Sequence, residues 1–280
     1  MMPPMSRTPA PAQGADLFYT TRGNGPPCLV LTGIGTKPYE AQTPPALTDL
    51  FQLVYVDLRG SGQSTGEPTD LTFDLLAADL EAVRKDLGVE RVALLGHSML
   101  GMLAIEYGRR CPSSVSHVIT AGTPPHGDMA RVGPLASAFF ERDASEDRKA
   151  VLRENMARLP ADASRMQWLL AQTPTRFFDA RFDAAPLFAE AVSRPGLLMH
   201  VLGTLGPAWD VTVDPESLRV PIFLAHGRAD YVVPYEMWAG IPEKLPDARF
   251  ELFERSGHQP FFEEPERFAS AVEEWMAGAR

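Results

Sequence analysis

Apolar residues follow two rhythms along the chain. Short strand-like runs closed by glycine or a turn occur at Leu17–Thr21, Cys28–Leu31, Leu53–Val56, Val92–Leu95 and Val115–Ala121. Continuous apolar runs of this kind predict strands buried on both faces. Between them the spacing changes to three and four. Thr72 opens a helix carrying Leu75, Leu76, Leu80, Val83 and Leu87, with Asp74 near its start and Gly88 as its stop. A second helix is predicted over Met99–Arg110, closed by Cys111-Pro112. Strand, helix, strand in this order predicts an α/β protein with a mostly parallel central sheet and helices on both faces.

The rhythm breaks after Gly122. Residues 123–214 contain no clear strand, only helix-like pieces over Glu146–Leu159, Ala163–Ala171 and Pro186–Val192, with many aromatics. This stretch is expected to form an inserted helical cap. The α/β rhythm then returns with strands at Ile222–Ala225 and Phe250–Phe253, a broken helical pattern over Tyr235–Lys244 and a closing helix over Pro265–Met276. The expected division is a flexible N-terminus at 1–14, a core at 15–122 and 215–280, and a cap at 123–214.

Composition narrows the function classes. The chain has 280 residues, 45% of them hydrophobic and 22% charged, so global disorder is excluded. A net charge of −10 repels phosphate backbones and anionic lipid surfaces, so neither a nucleic acid nor a membrane is expected as partner. No run of about 18 apolar residues is present, and residues 1–14 lack the apolar stretch of a signal peptide. A cytoplasmic protein is expected. Cys28 and Cys111 read as unpaired thiols, and no Cys/His cluster has metal-ligand spacing, so no metal or other cofactor is expected.

The sharpest chemical signal is Gly96-His97-Ser98-Met99-Leu100-Gly101, where a strand passes through a tight turn into a helix. Such a turn lifts a serine above the sheet edge, beside the N–H groups of the following helix. Serine alone is a poor nucleophile and needs a base. Asp230 lies just past the strand Ile222–Ala225, and His258 just past Phe250–Phe253. Parallel strands open their C-terminal ends on one edge, so Ser98, Asp230 and His258 are expected to meet there.

In this arrangement the chain resembles the α/β-hydrolase superfamily, over about residues 15 to 280. The loops Asp57-Leu58-Arg59-Gly60-Ser61-Gly62-Gln63-Ser64 and Gly257-His258-Gln259-Pro260-Phe261-Phe262-Glu263-Glu264-Pro265 look like that family's, and the overall flavour is similar to prolyl-iminopeptidase-like small serine hydrolases. The resemblance implies a cofactor-independent serine hydrolase. Ser98 would attack an acyl carbon, His258 would relay the proton and Asp230 would orient the imidazole. The N–H groups of Met99 and Ile34 would hold the oxyanion. Trp168, Phe178 and Trp209 are expected to line an apolar substrate pocket, and the substrate is expected to be a small ester, lactone or amide. A ligand-binding, receptor-like protein and a prolyl-iminopeptidase-type aminopeptidase are the alternatives.

Two positions depart from the family pattern. Leu100 stands where the elbow usually has glycine, with Gly101 one residue late, so the helix is expected to shift slightly while the turn survives. Thr32-Gly33 replaces a frequent His-Gly pair in the loop that carries Ile34.

Overall fold

The computed structural model describes residues 5–6, 10–192 and 194–278. Its strands are β1 (Met5–Ser6), β2 (Ala10–Ala12), β3 (Ala15–Leu17), β4 (Tyr19–Arg22), β5 (Pro27–Thr32), β6 (Gln52–Asp57), β7 (Val92–His97), β8 (Val115–Ala121), β9 (Ile222–Gly227) and β10 (Ala248–Phe253). Eight of them form one sheet in the order β1-β4-β6-β5-β7-β8-β9-β10. Strands β6 through β10 run parallel in this order, and β4 and β1 add antiparallel at one edge. The apolar runs at β5, β6, β7 and β9 are buried almost throughout, as strands covered on both faces must be.

The first strand differs from its sequence reading. The run Leu17–Thr21 is broken at Phe18, and its first half pairs with Ala10–Ala12 as a hairpin around Gly14. Residues 1–4 and 7–9 of the stretch read as a flexible N-terminus lie outside the described residues. Within that stretch, Ala10–Ala12 is a paired strand, and Ala10 is fully buried in the core.

The helices of the core are α1 (Thr36–Gln42), α2 (Pro45–Leu50), α3 (Phe73–Asp86) and α4 (Leu100–Arg110). Thr72 caps α3 by accepting the Leu75 N–H at 3.1 Å. The loop after β6 is bolted to α3 by a buried, two-pronged pair between Arg59 and Asp79, at 2.9 and 2.5 Å. Helix α4 is buried from Leu100 to Gly108, as expected of a helix lying centrally on the sheet.

Between β8 and β9 lies the helical insertion: α5 (Met129–Asp143), α6 (Glu146–Ala157), α7 (Arg165–Ala171), α8 (Thr173–Arg176) and α9 (Pro195–His200), followed by a π-helical turn over Val201–Leu205. Its starts are set by side-chain caps. Asp128 accepts the Ala130 N–H, Ser145 accepts the Arg148 N–H, and Ser164 forms a reciprocal box with Gln167. The helix expected over Pro186–Val192 is only a single turn, Ala185–Phe188, and the Tyr235–Lys244 pattern resolves into two short turns around Gly240. After β10 come α10 (Pro260–Glu263) and α11 (Pro265–Gly278), the latter burying Phe268, Val272 and Trp275.

Candidate active site

Ser98 follows β7 directly and has a backbone φ of about +55°, a left-handed conformation that a non-glycine residue adopts at a cost of about 1–2 kcal/mol. Three bonds hold it there. Its N–H donates to the Ala121 carbonyl at 2.8 Å, and its carbonyl accepts the Gly101 N–H at 3.0 Å and the Thr123 hydroxyl at 2.9 Å. The turn closes tightly because Gly96 and Gly101 lack side chains. A Cβ on Gly96 would lie 2.6 Å from the Gly101 Cα, and one on Gly101 would lie 1.9 Å from Thr123 Oγ1. Gly101 therefore provides the close packing, and Leu100 turns its side chain toward Gly33 instead. Gly101→Ala is expected to lower stability by about 1–3 kcal/mol, read as a drop of several degrees in melting temperature. An unchanged melting temperature would show that Thr123 yields freely.

Past β10, His258 places Nδ1 2.7 Å from Asp230 Oδ2, with both side chains buried. Asp230 Oδ1 accepts the N–H groups of Val232 and Val233, each at 2.9 Å. The carboxylate can only accept, so the imidazole donates from Nδ1 and leaves the Nε2 lone pair free. Nε2 has no hydrogen-bond partner among the described residues.

The backbone of His258 is held from two sides. Its N–H donates to the Arg176 carbonyl at 2.6 Å, and its carbonyl lies 3.0 Å from His97 Nε2. That contact makes Nε2 of His97 the donor. Burial, and then the charge His258 would carry, push the pKa of His97 well down, so its ring is neutral. The His258 ring packs against His97 and against Gly122, where a Cβ would come within 2.7 Å of Nδ1.

Ser98 and His258 both open onto one cavity of about 390 Å³, bordered also by Ile34, Met99, Leu100 and Trp168. Among the described residues no cluster of His, Cys, Asp or Glu is suited to hold a metal ion, and no helix is long and apolar enough to cross a membrane.

A family model for the alpha/beta hydrolase fold matches residues 26–265. The chain belongs to the α/β-hydrolase family. Over 275 residues this α/β-hydrolase is 30% identical to the AB hydrolase superfamily protein YclE of Bacillus subtilis, covering 95% of this chain and 96% of the relative. It is 28% identical to the pimeloyl-[acyl-carrier protein] methyl ester esterase of Vibrio campbellii, over 94% and 99% of the two chains. In three dimensions it matches the proline iminopeptidase of Mycobacterium smegmatis with a TM-score of 0.75 at 22% identity, over 98% of both chains, a likeness of fold.

The α/β-hydrolase brings Ser98, His258, Ile34, Met99 and Trp168 to the same cavity, with Asp230 behind His258. Two residues expected to line the pocket do not. Trp209 is buried away from it and donates its indole N–H to Glu106 of α4 at 2.9 Å, because a buried indole needs an acceptor. Phe178 is 41% exposed and borders a separate surface cleft with Glu263 and Arg267, while its backbone N–H donates to Glu263. Sequence reasoning missed Tyr39, Gln42, Arg176, Leu197 and Leu202 as cavity residues, because none stands in a motif.

The loop carrying Ile34 is tied to the cap by the Val192 N–H, which reaches the Ile34 carbonyl at 2.8 Å. Thr32, in place of the frequent histidine, donates to Asp57 Oδ1 at 2.6 Å, and Asp57 also accepts the Gln63 N–H at 2.8 Å. Burial raises the Asp57 pKa in spite of these two donors. The histidine loop is held by the two glutamates of α10 and its end. Glu264 accepts the Arg255 N–H and the Ser256 hydroxyl, each at 2.8 Å, and Glu263 accepts the Gly257 N–H at 2.7 Å and the Phe178 N–H of the cap at 2.6 Å.

Burial pushes the Glu263 carboxyl up to about 7 against the pull of these donors. Its proton is then held more tightly in the folded protein than in the unfolded chain, so its contribution favours folding below about 4.5 and fades as pH rises to about 7. The gap in urea midpoint between wild type and Glu263→Gln is therefore expected to shrink from pH 5 to pH 8. A constant gap would refute this.

Proposed function

We propose that this protein is a serine hydrolase that cleaves a small ester, lactone or amide through an acyl-enzyme on Ser98. In this reading His258 Nε2 accepts the Ser98 proton as the oxygen attacks and then returns it to the leaving group. Asp230 fixes the imidazole tautomer and stabilises the imidazolium. The N–H groups of Ile34 and Met99 take the developing oxyanion. Neither donates to another group among the described residues, so both are free to do so. A second half-reaction, with water attacking the acyl carbon, regenerates the serine.

The observation that carries the reading is the pairing of a left-handed Ser98 with an imidazole whose Nδ1 is committed to a carboxylate and whose Nε2 is uncommitted, on one cavity. Support for an ester also comes from the relative named as a methyl ester esterase.

The aminopeptidase alternative needs a carboxylate to hold a free amino group, and no Asp or Glu borders the cavity among the described residues. The receptor-like alternative would fit an elbow disabled by Leu100, and Ser98 keeps the left-handed turn there through Gly101. The test is a fluorophosphonate probe with a chromogenic ester. One probe per chain should attach, at Ser98, and abolish a burst of leaving group. Labelling at another residue, or none, would overturn the reading.

A further inference from the structure

Arg176 ends α8 and borders the cavity of Ser98. Its Nε is buried with no hydrogen-bond partner, and no ion pair reaches its guanidinium among the described residues. Every other described arginine that is not exposed is engaged. Arg59 holds Asp79, Arg84 holds Glu81, Arg109 holds Glu106, Arg228 holds Glu254, Arg249 holds Glu251, and Arg22 and Arg148 donate to backbone carbonyls. A guanidinium cannot shed its proton, and taking one out of water without an acceptor is costly.

Asp230 is an opposing charge that acts on Arg176, but that carboxylate already holds three donors, from Val232, Val233 and His258. Burial, partly offset by Asp230, pushes the Arg176 pKa down, a sign that its charge lacks full compensation. No carboxylate borders the cavity among the described residues. The other arginine on its wall, Arg165, is exposed and reaches the Met199 sulfur.

A second unmet polar group borders the same cavity. Gln259, next to His258 in the chain, has its Oε1 buried and unpartnered. The two ends of a glutamine amide interchange by rotation, so this side chain can present its NH₂ to an incoming anion.

We propose that the Arg176 guanidinium and the Gln259 amide anchor a carboxylate carried by the substrate, so that the preferred substrate is a small ester or amide with a free carboxylate in addition to the scissile bond. The inference rests on the serine-hydrolase reading and narrows its substrate class. A planar guanidinium matches a carboxylate with two parallel N–H bonds, which gives orientation as well as affinity. At about 390 Å³ the cavity lies at the small end for ligand sites, so the carboxylate and the reacting carbonyl belong to one compact molecule. A fixed cation inside the site also counters the repulsion that a net charge of −10 exerts on an anionic substrate.

The test compares monomethyl glutarate with methyl valerate, which replaces the carboxylate by a methyl group, measuring methanol release. Wild type is expected to favour monomethyl glutarate in kcat/KM by about 10- to 100-fold, the worth of a hydrogen bond to a charged group. Arg176→Met should erase that preference, chiefly through KM, and Arg176→Lys should restore part of it. Glutarate alone should raise the melting temperature of wild type and not of Arg176→Met, whose unliganded melting transition reports whether it folds. Should Arg176→Met fail to fold, the KM values of Arg176→Lys and Arg176→Gln carry the test. Equal kcat/KM for the two esters in wild type, or a preference that survives in Arg176→Met, would overturn the anchor while leaving the serine chemistry intact. If neither ester turns over and the fluorophosphonate leaves Ser98 unlabelled, the hydrolase reading itself fails, and the glutarate shift then decides the anion site alone.

Discussion

Ser98→Ala is expected to lower turnover by about 10⁶-fold while the protein stays folded. The loss is this large because the substitution removes the atom that bonds to the acyl carbon, leaving only positioning and oxyanion binding. The fold should survive because what fixes the turn is backbone. The Ser98 N–H still reaches the Ala121 carbonyl, and the Ser98 carbonyl still receives the Thr123 hydroxyl. Alanine and serine both carry the Cβ that makes a left-handed conformation costly, so stability should change little. Steady-state hydrolysis of a chromogenic ester, with thermal melting beside it, checks both halves. Turnover within tenfold of wild type in a cleanly folded variant would mean that another residue forms the acyl bond.

Asp230→Asn is expected to cost about 10⁴-fold, for a different reason. The amide oxygen of asparagine can still accept the Val232 and Val233 N–H groups from the Oδ1 position. Its NH₂ must then face His258 Nδ1, where a carboxylate oxygen now sits at 2.7 Å. An NH₂ there demands a lone pair on Nδ1 and drives the proton to Nε2, which leaves no base for the serine. The fold should be little changed, the melting temperature should move by a few degrees, and the loss should fall on kcat more than on KM. A loss below about tenfold would show that tautomer control does not limit the reaction.

The parts of the fold that could be read from the chain are those where one physical demand dominates. Val115–Ala121 was legible to the residue because Val115, Val118, Ile119 and Ala121 form a short buried run closed by Gly122. Helix α3 was legible because Thr72 caps it and its apolar residues share a stripe. Helix α5 was hidden by Gly133-Pro134 in its interior, although Asp128 caps it and Val132, Phe139 and Phe140 bury one face. At the site, Ser98, Asp230 and His258 were legible as strand-end residues of a parallel sheet. The cap residues were not, because aromatic composition does not say which way a ring faces. Trp168 reaches the cavity, Trp209 serves a buried glutamate, and Phe178 faces outward. Arg176 carries no local mark at all, since its unusual condition is defined by neighbours distant along the chain.

Helix α8 gives up a backbone carbonyl to the amide of His258, and the Thr175 carbonyl to the Tyr231 amide beside Asp230. Gly257 has no side chain where α8 presses closest, with a would-be Cβ only 2.2 Å from the Arg176 oxygen. The insertion is thus not a detachable roof. Grafting one from a relative would succeed only if the donor brought its own crossbeam for the proton-relaying loop, and any breathing that lets molecules in and out must pivot around this stationary point.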